Sequence, residues 1–82
     1  MKLEILSPEK IYFTGEVTMV TLPGKQGNFT VLENHAPVIS MLAKGVVVYR
    51  QNGEDKQIGV GEGFAEVNKN KVVVCIEQVI ND

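Results

Sequence analysis

Hydrophobic residues along this chain recur at every second position. Leu3 and Ile5 alternate with Lys2 and Glu4, and Ile11, Phe13, Val17 and Met19 alternate with Tyr12, Thr14, Glu16 and Thr18. Val38, Ser40 and Leu42 oppose Ile39 and Met41, Val46 to Val48 form a β-branched run before Tyr49, and Val72, Val74 and Ile76 share one face. A period of two marks strands with one buried side, and β-branched and aromatic residues fit a pleated, half-buried surface. No stretch of ten or more residues carries a helical stripe.

The residues between these runs suit turns. Pro8, Pro23-Gly24, Gly27, Asn34, Pro37, Gly45 and Gly53 all interrupt apolar segments. Asn52-Gly53 predicts a hairpin, because both residues tolerate positive φ. Asn68-Lys69-Asn70-Lys71 predicts a second hairpin between FAEV and VVVCI. Eight to ten short strands at such close spacing predict an all-β protein, a small β-sandwich of about ten mostly antiparallel strands. Lys2, Lys56 and Lys71 are placed to blunt exposed strand edges.

Composition narrows the function. With 82 residues the chain has room for one domain, here 1–82, and that domain's core is small. The formal net charge is −2 and Lys and Arg are scattered singly, so neither nucleic acid nor an anionic lipid surface has an electrostatic partner here. No long apolar segment resembles a signal peptide or a membrane span. Cys75, the single cysteine, cannot form an internal disulfide; in the run VVVCIE it reads as a small buried hydrophobe.

Reactive chemistry finds little support. Gly59-Val60-Gly61-Glu62-Gly63 has the glycines of a dinucleotide loop, but strand-like FAEV follows where a phosphate-binding helix is needed. His35 and Cys75 could form a nucleophile pair, yet a thiolate among valines is disfavoured and no third group orients the imidazole. One His and one Cys do not make a metal site. No cofactor is expected. Asn28-Phe29-Thr30 matches a glycosylation acceptor, which carries no weight without a secretory signal. His35, between Asn34 and Ala36-Pro37, reads as a loop residue with a structural or a binding role. A generic protein-binding adaptor and an enzyme built on His35 and Cys75 both remain as alternatives from the residues alone.

The ordered segments LEILSPE, FTGEV, LPGKQGNF, HAP, KGVV, GFAEV and VVV run the length of the chain. Together they closely resemble the epsilon subunit of F-type ATP synthase, called delta in mitochondria. The resemblance implies a ten-stranded β-sandwich and a non-catalytic place in the central stalk of a proton-translocating rotor. It implies two partners, the gamma subunit and the polar loops of the membrane c-ring. It further implies that the chain meets the membrane only through the complex, on the cytoplasmic face of a bacterial inner membrane.

By the same resemblance, Gly27, Asn28 and Phe29 fall on the c-ring side, and Ser7, His35 and Ser40 on the gamma side. Family members usually carry an acidic residue where this chain has Asn28, and a Pro-Gly where it has Glu33-Asn34. Many members continue into two C-terminal helices that inhibit ATP hydrolysis, and some bind ATP there. Here the chain reaches Val79-Ile80-Asn81-Asp82 about where those helices would begin, so the expectation is no helical hairpin and no nucleotide binding.

Overall fold

The computed structural model describes residues 1–81; Asp82, the last residue of the Val79–Asp82 segment discussed above, lies outside them. Ten strands follow one another: β1 (Lys2–Leu6), β2 (Ile11–Glu16), β3 (Met19–Gly24), β4 (Gly27–Leu32), β5 (Val38–Leu42), β6 (Gly45–Gln51), β7 (Glu54–Val60), β8 (Gly63–Asn68), β9 (Lys71–Ile76) and β10 (Val79–Asn81). They pair in the order β10-β7-β6-β3-β5-β8-β9-β1-β2, with β4 also on β3. Every pairing is antiparallel except β1 with β9. The all-β class, the strand number and the antiparallel bias match the sequence-based expectation.

This sheet curls on itself. One half holds β10, β7, β6, β3 and β4, the other β5, β8, β9, β1 and β2, and a single residue pair, Gly24 with Leu42, joins them between β3 and β5. The inward faces of both halves meet in one core, where Leu3, Ile5, Leu22, Val31, Leu42, Val47, Val60 and Val74 are fully buried. On the opposite flank Phe13 of β2 stacks on Tyr49 of β6, ring centroids 4.5 Å apart. Beside them Gln51 Nε2 donates to Glu16 O at 3.2 Å.

Both expected hairpins form. Asn52 (φ 54°) and Gly53 (φ 77°) turn β6 into β7, and Lys69 (φ 52°) and Asn70 (φ 59°) turn β8 into β9. Two central residues with positive φ match the type I′ turn, whose twist suits the flanking strands. Across the first hairpin Arg50 grips Asp55 through two hydrogen bonds, 2.6 and 3.2 Å, which hold the Asp55 carboxyl below the usual carboxylate range.

Two expectations need correction. The alternation from Ile11 to Met19 is not one strand: it breaks at Val17-Thr18, where the chain changes halves. The Val17 N–H still donates to Met1 O beside β1 (2.8 Å), but the Thr18 N–H donates to Arg50 O beside β6 (2.9 Å). Val17 stays buried through the corner, so the period survives although the strand does not. Lys2 and Lys71 do not guard edges either, since β1 and β9 are interior strands; Lys71 instead faces Glu4 at 3.6 Å.

Candidate partner-binding surfaces

The outward face of the β5-β8-β9-β1-β2 half carries an apolar row that crosses all five strands. Strand register builds it: Met41 lies opposite Phe64, Phe64 opposite Cys75, Cys75 opposite Leu6, and Leu6 opposite Ile11. Directly paired residues point to the same side of a sheet. Met41 is 56% exposed, Phe64 43% and Ile11 59%, and Ile39, next along β5, is 71% exposed. So large an apolar content on the outside of one sheet marks a surface that another molecule covers.

The row sinks into a trough of about 580 Å³ near one end of the sandwich, lined mainly by Leu6, Ser7, Met41, Phe64, Cys75 and Ile76. The Lys25–Glu62 ion pair (3.8 Å) and Glu77 stand at its rim. Ser7 is buried: its backbone N–H donates to Lys10 O (2.9 Å) and its Oγ accepts from the Glu9 N–H (3.2 Å), closing the turn from β1 to β2. The hydroxyl is thus engaged within its own turn, and Ser7 contributes shape to the trough wall.

Cys75 also corrects an expectation. It is half-buried on the outer face, opposite in sense to Val72, Val74 and Ile76. Burial pushes its thiol up, and the Glu66 and Glu4 carboxylates on the same face add to the rise. The folded chain therefore holds the proton more tightly than the unfolded chain. That stabilising contribution is complete below the usual thiol range and is lost as pH climbs from the unfolded to the folded value. The thiolate is the nucleophile, so iodoacetamide at neutral pH is expected to alkylate Cys75 more slowly in the native protein than in urea, as followed by intact mass. Equal rates would contradict this placement.

The remaining candidate residues are distributed over the molecule. Gly27 (φ 124°), Asn28 and Phe29 follow the two-residue turn from β3 into β4. That turn is braced by Lys25 N–H to Met41 O (2.9 Å) and Ala43 N–H to Pro23 O (2.8 Å). Gly27 and Asn28 are exposed, whereas the Phe29 ring packs partly on the core and covers Gly24. These three residues and Ser7 share the trough end. Ser40 sits mid-β5 on the core-facing side, its Oγ donating to Met41 O at 3.3 Å. His35 lies at the other end, half-buried, with Nδ1 2.7 Å from Ala36 O.

The gamma-side set is therefore spread along the sandwich and does not form one cluster. His35 and Cys75 stand at opposite ends, and among the described residues no group of three or more His, Cys, Asp or Glu could hold a metal. Gly59 and Val60 belong to β7 and Gly63 opens β8, so strands flank the glycine-rich segment on both sides. The loop with His35 is ordered by Asn34 (φ 64°), whose N–H donates to Asn70 Oδ1 at 2.6 Å. Sequence reasoning missed the apolar row itself. Its signal was available: Met41, Phe64 and Cys75 all occupy the face opposite the core positions of their strands.

A rigid strand sandwich with a large apolar outer face and a braced hairpin end defines a β-sandwich protein-interaction domain. The comparisons specify which one. The family model described as "ATP synthase, Delta/Epsilon chain, beta-sandwich domain" matches residues 1–82, and the chain belongs to that family. It is 43% identical over 77 residues to the ATP synthase epsilon chain of Nitratidesulfovibrio vulgaris, covering 94% of this chain and 58% of that one. The chain thus spans under two thirds of that relative. In fold it is similar to a chain of the Euglena gracilis mitochondrial ATP synthase (TM-score 0.89, 23% identity, 96% of this chain and 51% of that one). It is likewise similar to a chain of the Tetrahymena thermophila central stalk and c-ring assembly (TM-score 0.82, 11% identity, 98% and 65%).

Proposed function

We propose that this chain is a non-catalytic rotor component of a proton-translocating F-type ATP synthase, joining the gamma subunit to the c-ring. The observation that carries the reading is the apolar row Met41–Phe64–Cys75–Leu6–Ile11, a surface suited to being covered by a partner. In this reading the row and its trough form the centre of the gamma contact, with Ser7 at one end, Ser40 along β5 and His35 at the far end. The braced turn bearing Gly27, Asn28 and Phe29 then rests on the c-ring. Exposed Asn28 offers a neutral hydrogen bond there. Transmission of torque needs a body that does not shear, which a sandwich with a fully buried core supplies. Association with the membrane comes through the complex, on the cytoplasmic face of a bacterial inner membrane. The 1–82 unit works as one domain, without a helical inhibitory arm and without bound nucleotide.

Co-purification with the gamma subunit of the same ATP synthase tests this. Phe64→Asp is expected to weaken capture of gamma by about 30-fold or more, as a central interface anchor does. His35→Ala is expected to weaken it less, while changing folding stability within the roughly 0.5 kcal/mol typical of surface sites. Gamma binding should also shield Cys75 from alkylation. If wild-type chain ignores gamma, or Phe64→Asp binds it normally, the reading fails; a tight unrelated partner would instead make it a general adaptor.

A further inference from the structure

At the end of the sandwich opposite the trough, the α-amino group of Met1 sits in a built site. Met1 is 8% exposed, and its side chain joins the core. The ammonium nitrogen donates to Val17 O at 3.1 Å and faces Glu16 Oε1 at 3.5 Å and Glu33 Oε2 at 3.7 Å. An ammonium has three N–H bonds, and here there are three acceptors, two of them anionic. Glu16 closes β2. Glu33 opens the loop that carries Asn34 and His35 between β4 and β5.

That loop touches the rest of the fold at few points. The Asn34 N–H donates to Asn70 Oδ1, Asn70 Nδ2 donates back to Asn34 Oδ1 at 3.2 Å, and the His35 N–H donates to Leu32 O at 3.2 Å. Glu33 on the Met1 ammonium is the one charged contact among them. We propose that the free, charged α-amino group of Met1 latches the Glu33–Pro37 loop, so that the acylation state of Met1 sets the shape of the surface around His35. The group exists wherever the chain begins at Met1 with an unmodified amine.

The physics is specific to charge. An acyl group on Met1 replaces N–H bonds by an amide, leaving one N–H and no charge. That N–H can still serve Val17 O, so the pairing of Met1 with Val17 persists. Glu16 and Glu33 lose their shared cation and are left as two like charges on either side of a neutral amide. Glu33 then swings to solvent, and the loop keeps only the Asn70 and Leu32 contacts. A formyl group retained after synthesis would act as an acetyl group does.

Hydrogen exchange on chemically synthesised protein, with Met1 free or Nα-acetylated, tests the latch without any partner. Local opening of the loop is reported by the Asn34 and His35 amides. Acetylation is expected to speed their exchange by about 1.5- to 5-fold, the span set by exposed ion pairs, while Val72 and Val74 amides keep their rates. Free-amine Glu33→Gln should show the same acceleration, and acetylating that variant should add nothing. The proposal is overturned if acetylation leaves Asn34 and His35 exchange unchanged. It is equally overturned if acetylation speeds the core strands as much as the loop, or if the Glu33→Gln and acetyl effects simply add.

Discussion

Replacing Gly63 with alanine is expected to leave most of the chain unfolded near physiological temperature. Gly63 opens β8 and lies opposite Ile76 of β9. A methyl group there would meet backbone on every listed side of its approach: 2.7 Å from Ile76 Cα and 2.9 Å from Cys75 C, with Cys75 O nearer still. No side-chain rotation relieves a clash with main chain, so β8 and β9 must part at this end. Parting them costs the Gly63–Ile76 pairing and the Glu77 N–H to Glu62 O bond of 2.9 Å, and it opens the floor of the trough. Ordinary overpacking in a core costs about 1–3 kcal/mol; a backbone collision should reach about 3 kcal/mol or more. At roughly 0.05–0.15 kcal/mol of stability per residue, a domain this small has little to spare. Thermal unfolding followed by circular dichroism checks this, and a melting temperature within a few degrees of wild type would show that the close approach is not real.

Leu42→Ala is expected to be the next most damaging change. Leu42 is fully buried at the end of β5, paired with Gly24 on one side and Gly63 on the other. It fills the seam where the two halves of the sheet join through a single pair. Its neighbours there are glycines without side chains to fill a void, so the site collapses poorly. Buried Leu→Ala changes cost about 2–5 kcal/mol, more where collapse is poor. The melting temperature should fall by more than about 8 °C, at roughly 4 °C or more per kcal/mol for a small domain. Leu42→Met, which nearly conserves volume, should recover most of the loss.

How much of this was legible in the sequence depended on the distance over which each feature is built. Alternation read strand by strand predicted the core faces of β1, β5 and β9 and both I′ hairpins, because a period of two and an Asn-rich turn are local signals. Cys75 was misjudged because its apolar neighbours outweighed its register; the positions of Val72, Val74 and Ile76 already placed it on the opposite face. The corner at Val17 was hidden because burial continued across it while the hydrogen-bonding partners changed from β1 to β6. The apolar row was invisible for a different reason. It takes one or two residues from each of five strands, and only the pairing order puts them side by side. The resemblance to the epsilon family was carried by short segments in order, and the family match confirms it over residues 1–82. Asn34 was recognised as a left-handed turn residue, but its partner Asn70 is a long-range contact that no local pattern announces.

The parallel pairing of β1 with β9 has a consequence for how the protein is made. Residues translated first must wait for almost the last ones before their ladder can form, from Lys2 with Lys71 to Leu6 with Cys75. Such distant contacts close slowly, because the entropy of the intervening loop is lost before they form. A nascent chain halted before Lys71 leaves the ribosome with Leu3 and Ile5 lacking half of their cover, the state most open to chaperones and proteases. Completion of the sandwich is therefore coupled to completion of synthesis through β9, and fragments ending before that strand should be degraded.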